Sequence, residues 1–206
     1  MATGPYVYER QTEYWTSNQI ETFFGDLGFE VLAFPITQLT EKKLPADYLF
    51  FDSSLTKLFG FQYKPLYHNG QDYWPITKSQ HERLRHYPWV YYCLCEMRDV
   101  RDRRAALHLS RIVRTDFPFV GKLGLRRATS DPLYMRWGAF YQGLVSCRYG
   151  IKVTSEKELL ANLSPENHDG GLYELRELLV ELILVEIEKR RVLRFSPFIA
   201  DHQGRG

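Results

Sequence analysis

The stretch FGFQYKPLY at positions 59–67 alternates as a β-strand does, with aromatic side chains at every second position. Successive side chains of a strand point to opposite faces. The aromatic residues therefore share one face, and Gln62 and Lys64 share the other. Pro65 is expected to end regular pairing or to lie at a sheet edge, because proline cannot donate to the ladder. A central strand that carries an amide and an ammonium on one face predicts either a functional site or a face exposed to solvent.

The composition is that of a folded protein. The chain has 206 residues, of which 44% are hydrophobic, 25% charged and 15% aromatic. The net charge of +2 gives no general reason to expect a nucleic-acid partner. Basic residues nevertheless cluster at Arg98, Arg101, Arg103, Arg104, Arg111 and Arg114. This cluster is either a solvated, partly ion-paired face or a surface for phosphates.

Several classes of protein are disfavoured. Cys93, Cys95 and Cys147 lack zinc-site spacing and are expected to be free thiols in a reducing compartment. The first residues lack the pattern of a signal peptide, and no apolar stretch approaches the roughly 20 residues of a membrane-spanning helix. We therefore expect a cytoplasmic protein without a membrane partner. Neither a P-loop nor a G-x-G-x-x-G motif occurs.

The first half of the chain predicts a layered α/β (α+β) core. A helix is expected over residues 9–27, where apolar residues have helical spacing and Gly28 provides a stop. The following elements are expected to be strands at 29–34, 47–52 and 57–66, a loop at 68–75, a helix at 77–87 and a strand at 88–97. The segment 104–113 is compatible with either a helix or a strand.

The second half is less regular. Residues 115–153 are expected to be irregular with short strands. A helix with Ser155 as N-cap and Glu158 as its capping-box partner should follow. The strongest helical pattern covers 170–195 and predicts a buried helix or an oligomer contact. We therefore expect a core over 1–115 and, over 116–206, an irregular region with C-terminal helices that pack on the core or pair two subunits in a homodimer.

The strand at 57–66 and the strand before it bring together a possible metal site. Asp47 opens the earlier strand, and Gln62 follows 15 residues later (62 − 47). Neighbouring strands lie about 4.8 Å apart. We therefore expect the Asp47 carboxylate and the Gln62 amide to converge closely enough to hold one cation.

These residues resemble the PD-(D/E)xK nuclease superfamily, the fold of many restriction endonucleases. The matching motifs are PAD at 45–47 and QYK at 62–64, and the order helix, three strands, helix, strand is similar to the core of that family. Glutamine at position 62 departs from the commonest acid and looks like the Mrr-type enzymes. The segment LGFEV at 27–31 is also similar to that group, and the resemblance covers roughly residues 9–96.

The resemblance implies a restriction-endonuclease-like core with a central mixed sheet, flanking helices and a C-terminal helical extension. It further implies a Mg²⁺ (or Mn²⁺) ion held by Asp47, the amide oxygen of Gln62 and the carbonyl oxygen of Tyr63. Lys64 would orient or deprotonate the attacking water and stabilise charge in the transition state. The superfamily often adds an acid from the first helix, for which Glu13 is preferred and Glu21 is the alternative.

The resemblance also implies a nucleic-acid partner, most simply DNA. Gln80 and Arg83 on the second helix would contact its backbone. The basic run would add phosphate contacts through Arg98, Arg101, Arg103 and Arg104. The expected function is hydrolysis of DNA phosphodiester bonds by a Mg²⁺-dependent endonuclease. The alternatives are a catalytically inactive nucleic-acid-binding module on the same fold, and a structural or adaptor subunit of a larger complex.

Overall fold

The computed structural model describes residues 4–36, 46–52, 55–155, 157–158 and 162. The chain forms two compact units, residues 1–152 and 153–206. The described residues of the first unit form ten strands: β1 (Gly4–Pro5), β2 (Val31–Pro35), β3 (Tyr48–Asp52), β4 (Lys57–Lys64), β5 (Tyr67–Asn69), β6 (Gln71–Pro75), β7 (Val90–Cys95), β8 (Ser110–Arg114), β9 (Lys122–Gly124) and β10 (Ile151–Lys152). Its helices are α1 (Glu9–Asp26), α2 (Lys78–Leu84), α3 (Leu125–Ser130) and α4 (Trp137–Val145), with a 3₁₀ helix at Val100–Ala105.

The main sheet is mixed and has the order β2-β3-β4-β7-β8, with β10 paired to the start of β4. Strands β2, β3 and β4 form an antiparallel meander, and β7 runs parallel to β4 after the crossover through α2. The predicted fold class is confirmed at this level: an α/β protein with a mixed sheet flanked by helices. β3 pairs with β4 only as far as Phe61, whereas β7 pairs with β4 up to Lys64. The end of β4 therefore extends beyond β3.

The aromatic face of β4 forms the core with α1 and α4. Phe59 and Phe61 belong to a buried cluster with Phe24 of α1 and Phe140 of α4. The ring of Phe59 lies 5.8 Å from that of Phe140, centroid to centroid. The phenol of Tyr63 lies 2.9 Å from the Ser17 hydroxyl of α1. These contacts fix how α1 lies across the sheet.

The predicted start and end of α1 agree with the structure to within one residue. Gly28 follows the helix with a φ of +75°, a conformation that glycine adopts without strain. The amide of Phe29 then donates to the carbonyl of Phe24 at 2.9 Å, which satisfies one of the last helical acceptors.

The prediction of a loop at 68–75 is wrong. This segment forms the β5–β6 hairpin, in which Asn69 pairs with Gln71 around Gly70. Gly70 has a φ of +71°. The hairpin belongs to a second sheet with the order β1-β5-β6-β9. Asn and Gly mark tight hairpin turns as strongly as they mark loops, which explains the error.

The segment that was ambiguous at 104–113 contains both kinds of structure, since the 3₁₀ helix covers its start and β8 covers its end. Residues 116–152 contain the expected short strands, and they also contain α3 and α4. The first unit therefore extends past residue 115. The apolar residues of α4 have helical spacing. Gly138 and Gly143 interrupt this pattern in the sequence, which is why the helix was not predicted. At Gly143 a Cβ would lie 1.9 Å from the ring of Tyr149, so the close approach of these segments requires glycine.

The second unit is described only at its beginning. The predicted N-cap is confirmed, since the Glu158 amide donates to the Ser155 hydroxyl at 3.3 Å. The Glu158 carboxylate accepts from the amide of Thr154 at 2.7 Å. The helix predicted over 170–195, and the subunit contact proposed for it, lie outside the described residues. Among the helices that the structure describes, none is long and apolar enough to cross a membrane.

The buried thiols and phenols of the main sheet predict a loss of stability in alkali. Burial raises the pKa of Cys95 from 9.0 to about 11 and raises the pKa values of Cys93 and Tyr63 well above their ordinary range. The unfolded chain loses these protons at lower pH than the folded chain. This contribution to stability is therefore complete below about pH 9 and is lost as the pH rises toward 11, by about 1.4 kcal/mol for each unit of pKa difference.

Thermal melting followed by circular dichroism between pH 7 and pH 11 tests this expectation. The melting temperature should fall steeply above pH 9. Cys95→Ala should lessen the fall, whereas Cys147→Ala, at an exposed position, should leave it unchanged. A melting temperature that stays constant to pH 11 would contradict it.

Candidate metal centre at the end of the main sheet

Asp47 is fixed by the backbone on both of its sides. Its amide donates to the carbonyl of Phe61 at 2.8 Å, and its carbonyl accepts from the amide of Ile36 at 2.8 Å. The residue is only 6% exposed. The pairing of β3 with β4 ends at Tyr48. The next β4 amide that faces β3 is that of Tyr63, and it donates to Oδ2 of Asp47 at 2.6 Å. The carboxylate thus occupies the place of the next backbone acceptor.

Gln62 contacts the same carboxylate. Its Nε2 lies 2.6 Å from Oδ1 and 2.6 Å from Oδ2 of Asp47. The residue is 1% exposed, so a solvent-facing role is wrong for this position. The amide oxygen Oε1 is also buried and has no hydrogen-bond partner in the described part of the chain. An unsatisfied buried acceptor costs about 1–3 kcal/mol, so this oxygen calls for a partner.

Two acids of α1 complete the cluster. Glu9, Glu13 and Asp47 each offer a carboxylate oxygen within 4.8 Å of the others. Glu9 and Glu13 are four residues apart and therefore neighbours on one face of the helix. The same face continues through Ser17 to the core, which carries both acids to the end of β4.

Lys64 is tied to this cluster through Glu9. Its Nζ lies 2.9 Å from Oε1 of Glu9, and the Lys64 side chain is only 11% exposed. The three predicted residues Asp47, Gln62 and Lys64 therefore lie around one group of acids. Pro45, the first residue of the PAD motif, lies outside the described residues.

Glu13 belongs to the cluster and the alternative Glu21 does not. Glu21 lies two turns further along α1 at an exposed position. Partial desolvation of its carboxyl group by neighbouring atoms raises its pKa. Glu9 was not among the predicted site residues. The signal was present, because Glu9 precedes Glu13 by one helical turn on the face that leads to Ser17.

The backbone and the side chain of Tyr63 have different roles. A residue in a strand directs its N–H and its C=O to the same side. The carbonyl of Tyr63 therefore faces the side on which its amide meets Asp47. Its phenol points into the core, where burial raises its pKa well above the ordinary value and keeps it protonated.

The oxygen atoms of the cluster suit a hard divalent cation. The cluster offers the carboxylates of Asp47, Glu9 and Glu13, the unpartnered oxygen of Gln62 and the carbonyl of Tyr63. All are oxygen ligands, which Mg²⁺ and Mn²⁺ prefer. The two additional carboxylates supply the negative charge that glutamine at position 62 lacks. The residues present fit such an ion.

The predicted nucleic-acid contacts lie on other elements. Gln80 is half-buried and Arg83 is exposed on α2. Arg98 forms an ion pair with Asp72 of β6, and Arg101 contacts Asp99 at 2.8 Å.

The remaining two predicted arginines, Arg103 and Arg104, are exposed on the 3₁₀ helix. This helix adjoins α1, since Nε2 of Gln19 donates to the carbonyl of Arg103 at 2.6 Å.

Among the acids of α1, the geometry predicts that Glu13 and not Glu21 affects metal binding. Glu13→Gln removes one carboxylate of the cluster and should reduce the rise in melting temperature that Mn²⁺ produces. Glu21→Gln is the matched control on the same helix and should retain the full rise. Thermal melting in EDTA and in a Mn²⁺ titration measures both. A loss of the rise in Glu21→Gln, with Glu13→Gln unchanged, would contradict the assignment.

Comparisons with known proteins do not identify a relative. No protein-family model, curated protein or solved structure matches the chain. What the protein does is therefore inferred from its own residues.

Proposed function

We propose that the protein is a metal-dependent nuclease with a restriction-endonuclease-like core, and that it hydrolyses DNA phosphodiester bonds. One observation carries the proposal: Asp47, Gln62 and Lys64 converge with Glu9 and Glu13 at the end of β4. Three carboxylates, an amide oxygen and an ammonium group around one point are the groups that such hydrolysis requires.

The topology supports the proposal. The order α1, β2, β3, β4, α2, β7 is that of the helix, three strands, helix and strand expected for this core. The β5–β6 hairpin is inserted between β4 and α2. The candidate site lies at the end of the ladder, where β4 extends beyond β3.

Each residue has a role that follows from its chemistry. When bound, Mg²⁺ or Mn²⁺ would contact a phosphate oxygen and offset the charge that grows during hydrolysis. Asp47, Gln62, Glu13 and the Tyr63 carbonyl would hold the ion. Glu9 has two oxygens, one of which contacts Lys64 while the carboxylate still belongs to the acidic cluster.

Lys64 would act on the attacking water and the phosphate. Glu9 holds its ammonium group beside the acids, where it can donate hydrogen bonds to the attacking water and to a phosphate oxygen. The largely buried side chain has few alternative positions, so little conformational entropy is lost on binding.

The basic side chains outside the site would provide contacts with the DNA backbone. Arg103 and Arg104 are exposed beside α1, whose N-terminal turns carry the acidic cluster. Contacts of this kind attract any nucleic acid and weaken as salt rises. A location in the cytoplasm and a homodimer formed through the C-terminal helix remain predictions.

A specific observation favours a second candidate, an inactive nucleic-acid-binding module. Several polar groups of the site also pair with one another directly, since Gln62 donates to Asp47 and Lys64 contacts Glu9. A chain that had lost catalysis could keep this arrangement as a structural one.

The nuclease proposal predicts cleavage of supercoiled plasmid DNA in Mg²⁺ or Mn²⁺ and none in EDTA. Lys64→Ala should lower the cleavage rate by roughly 100-fold or more, the usual effect of losing a group that stabilises transition-state charge. Lys78→Ala is the control, because Lys78 is exposed and its contact with Glu82 is a surface ion pair 3.8 Å long.

Gel-shift measurements on the same proteins separate the two candidates. Cleavage that Lys64→Ala abolishes and Lys78→Ala preserves supports the nuclease. Binding of DNA without cleavage at any cation concentration would support the binding module and refute the enzyme.

A further inference from the structure

We propose that the side-chain amide of Gln62 reverses when the site binds a cation, and that its neutrality keeps the metal-free site folded. The inference rests on the proposed function, because it concerns the same site. Gln62 also has a role in the metal-free protein, because an acid at this position would destabilise the fold there.

The first step is the orientation of the amide without a cation. Gln62 lies so close to Asp47 that one end of its amide is 2.6 Å from both carboxylate oxygens. Only the NH₂ end can occupy that place, because an oxygen there would repel the carboxylate. The donor end of Gln62 therefore faces Asp47, and Oε1 is left without a partner in the part of the chain that the structure describes.

The second step is the orientation that a cation requires. Mg²⁺ and Mn²⁺ bind oxygen and not an amide NH₂ group. A cation shared by Asp47 and Gln62 must therefore meet Oε1. Rotation of the terminal amide by a half-turn exchanges its two ends, and this torsion has a broad, two-fold profile. Metal binding thus breaks both contacts of Nε2 with Asp47, and the unpartnered oxygen Oε1 becomes a ligand of the cation.

The third step concerns charge. The carboxylates of Glu9, Glu13 and Asp47 already lie within reach of one cation. The ammonium group of Lys64 contacts one of them, that of Glu9. Glutamate at position 62 would place a fourth carboxylate against Asp47 at a site only 1% exposed. Without a metal ion this like-charge contact is strongly unfavourable. Glutamine replaces the repulsion by hydrogen bonds.

The site can therefore bind and release a divalent cation without losing its structure. The neutral amide stabilises the metal-free protein and lowers its affinity for the ion, so occupancy should follow the concentration of free divalent cation. A glutamate would reverse both effects, because it would add charge for the metal and destabilise the protein without it.

Melting of the full chain tests this exchange of roles. In EDTA, Gln62→Glu should melt about 5 °C or more below the wild type. Gln71→Glu, at an exposed strand position, is the matched control and should melt with the wild type. In saturating Mn²⁺ the Gln62→Glu protein should gain more stability than the wild type gains. Equal melting of Gln62→Glu and wild type in EDTA would overturn the inference.

A second measurement uses the wild-type protein and does not depend on whether Gln62→Glu folds. The ¹⁵N–¹H signals of the Gln62 side chain are assigned by their absence in Gln62→Met. Addition of Mg²⁺ should shift them and speed their exchange with water, as the amide protons lose Asp47. Signals that stay unchanged at saturating Mg²⁺ would overturn the reversal.

The two measurements separate failure of the inference from failure of the proposed function. If calorimetry shows Mn²⁺ binding to the wild type while the Gln62 signals do not move, the metal site stands and the amide reversal is refuted. If the wild type binds no cation and cleaves no DNA, the proposed function is refuted and the inference falls with it.

Discussion

The burial of one carboxylate, that of Asp47, is the constraint on which the site depends. β3 stops pairing at Tyr48, so the amide of Tyr63 on β4 has the Asp47 side chain and not a backbone carbonyl as its acceptor. A buried carboxylate must be surrounded by donors or by a cation. Tyr63 and Gln62 supply donors from the strand, and the same requirement makes the place suitable for a cation. The end of the strand ladder and the candidate metal site are here one feature.

The aromatic core determines which other groups reach that point. Phe59, Phe61 and Tyr63 pack on one face of β4 beneath α1 and α4. This packing fixes the rotation of α1 about its axis, and the rotation carries Glu9 and Glu13 to the end of the sheet. A change in the packing between α1 and the sheet would move these two acids away from the end of β4 while the strand itself stayed paired. Stability of the core and composition of the site are thus coupled through a single helix.

The strand pattern and the site pair were predictable because both depend on local rules. Alternation alone places Gln62 and Lys64 on one face, and the spacing to Asp47 allows one hairpin to bring the two together. The identity of the helix acids was harder, because it depends on the depth and rotation of α1, which long-range packing decides. Glu9 was missed for that reason, although its spacing from Glu13 was visible. The β5–β6 hairpin was missed because Asn-Gly turns occur in both hairpins and loops.

The central claim is that Asp47 and Gln62 share one divalent cation, and a crystal of the protein soaked in Mn²⁺ tests it most directly. We expect an anomalous difference peak about 2.1 Å from a carboxylate oxygen of Asp47 and from the amide oxygen of Gln62, with a further acid of α1 in the coordination sphere. A Mn²⁺ peak at another place, or a well-ordered Asp47–Gln62 hydrogen bond that persists at saturating Mn²⁺, would contradict it.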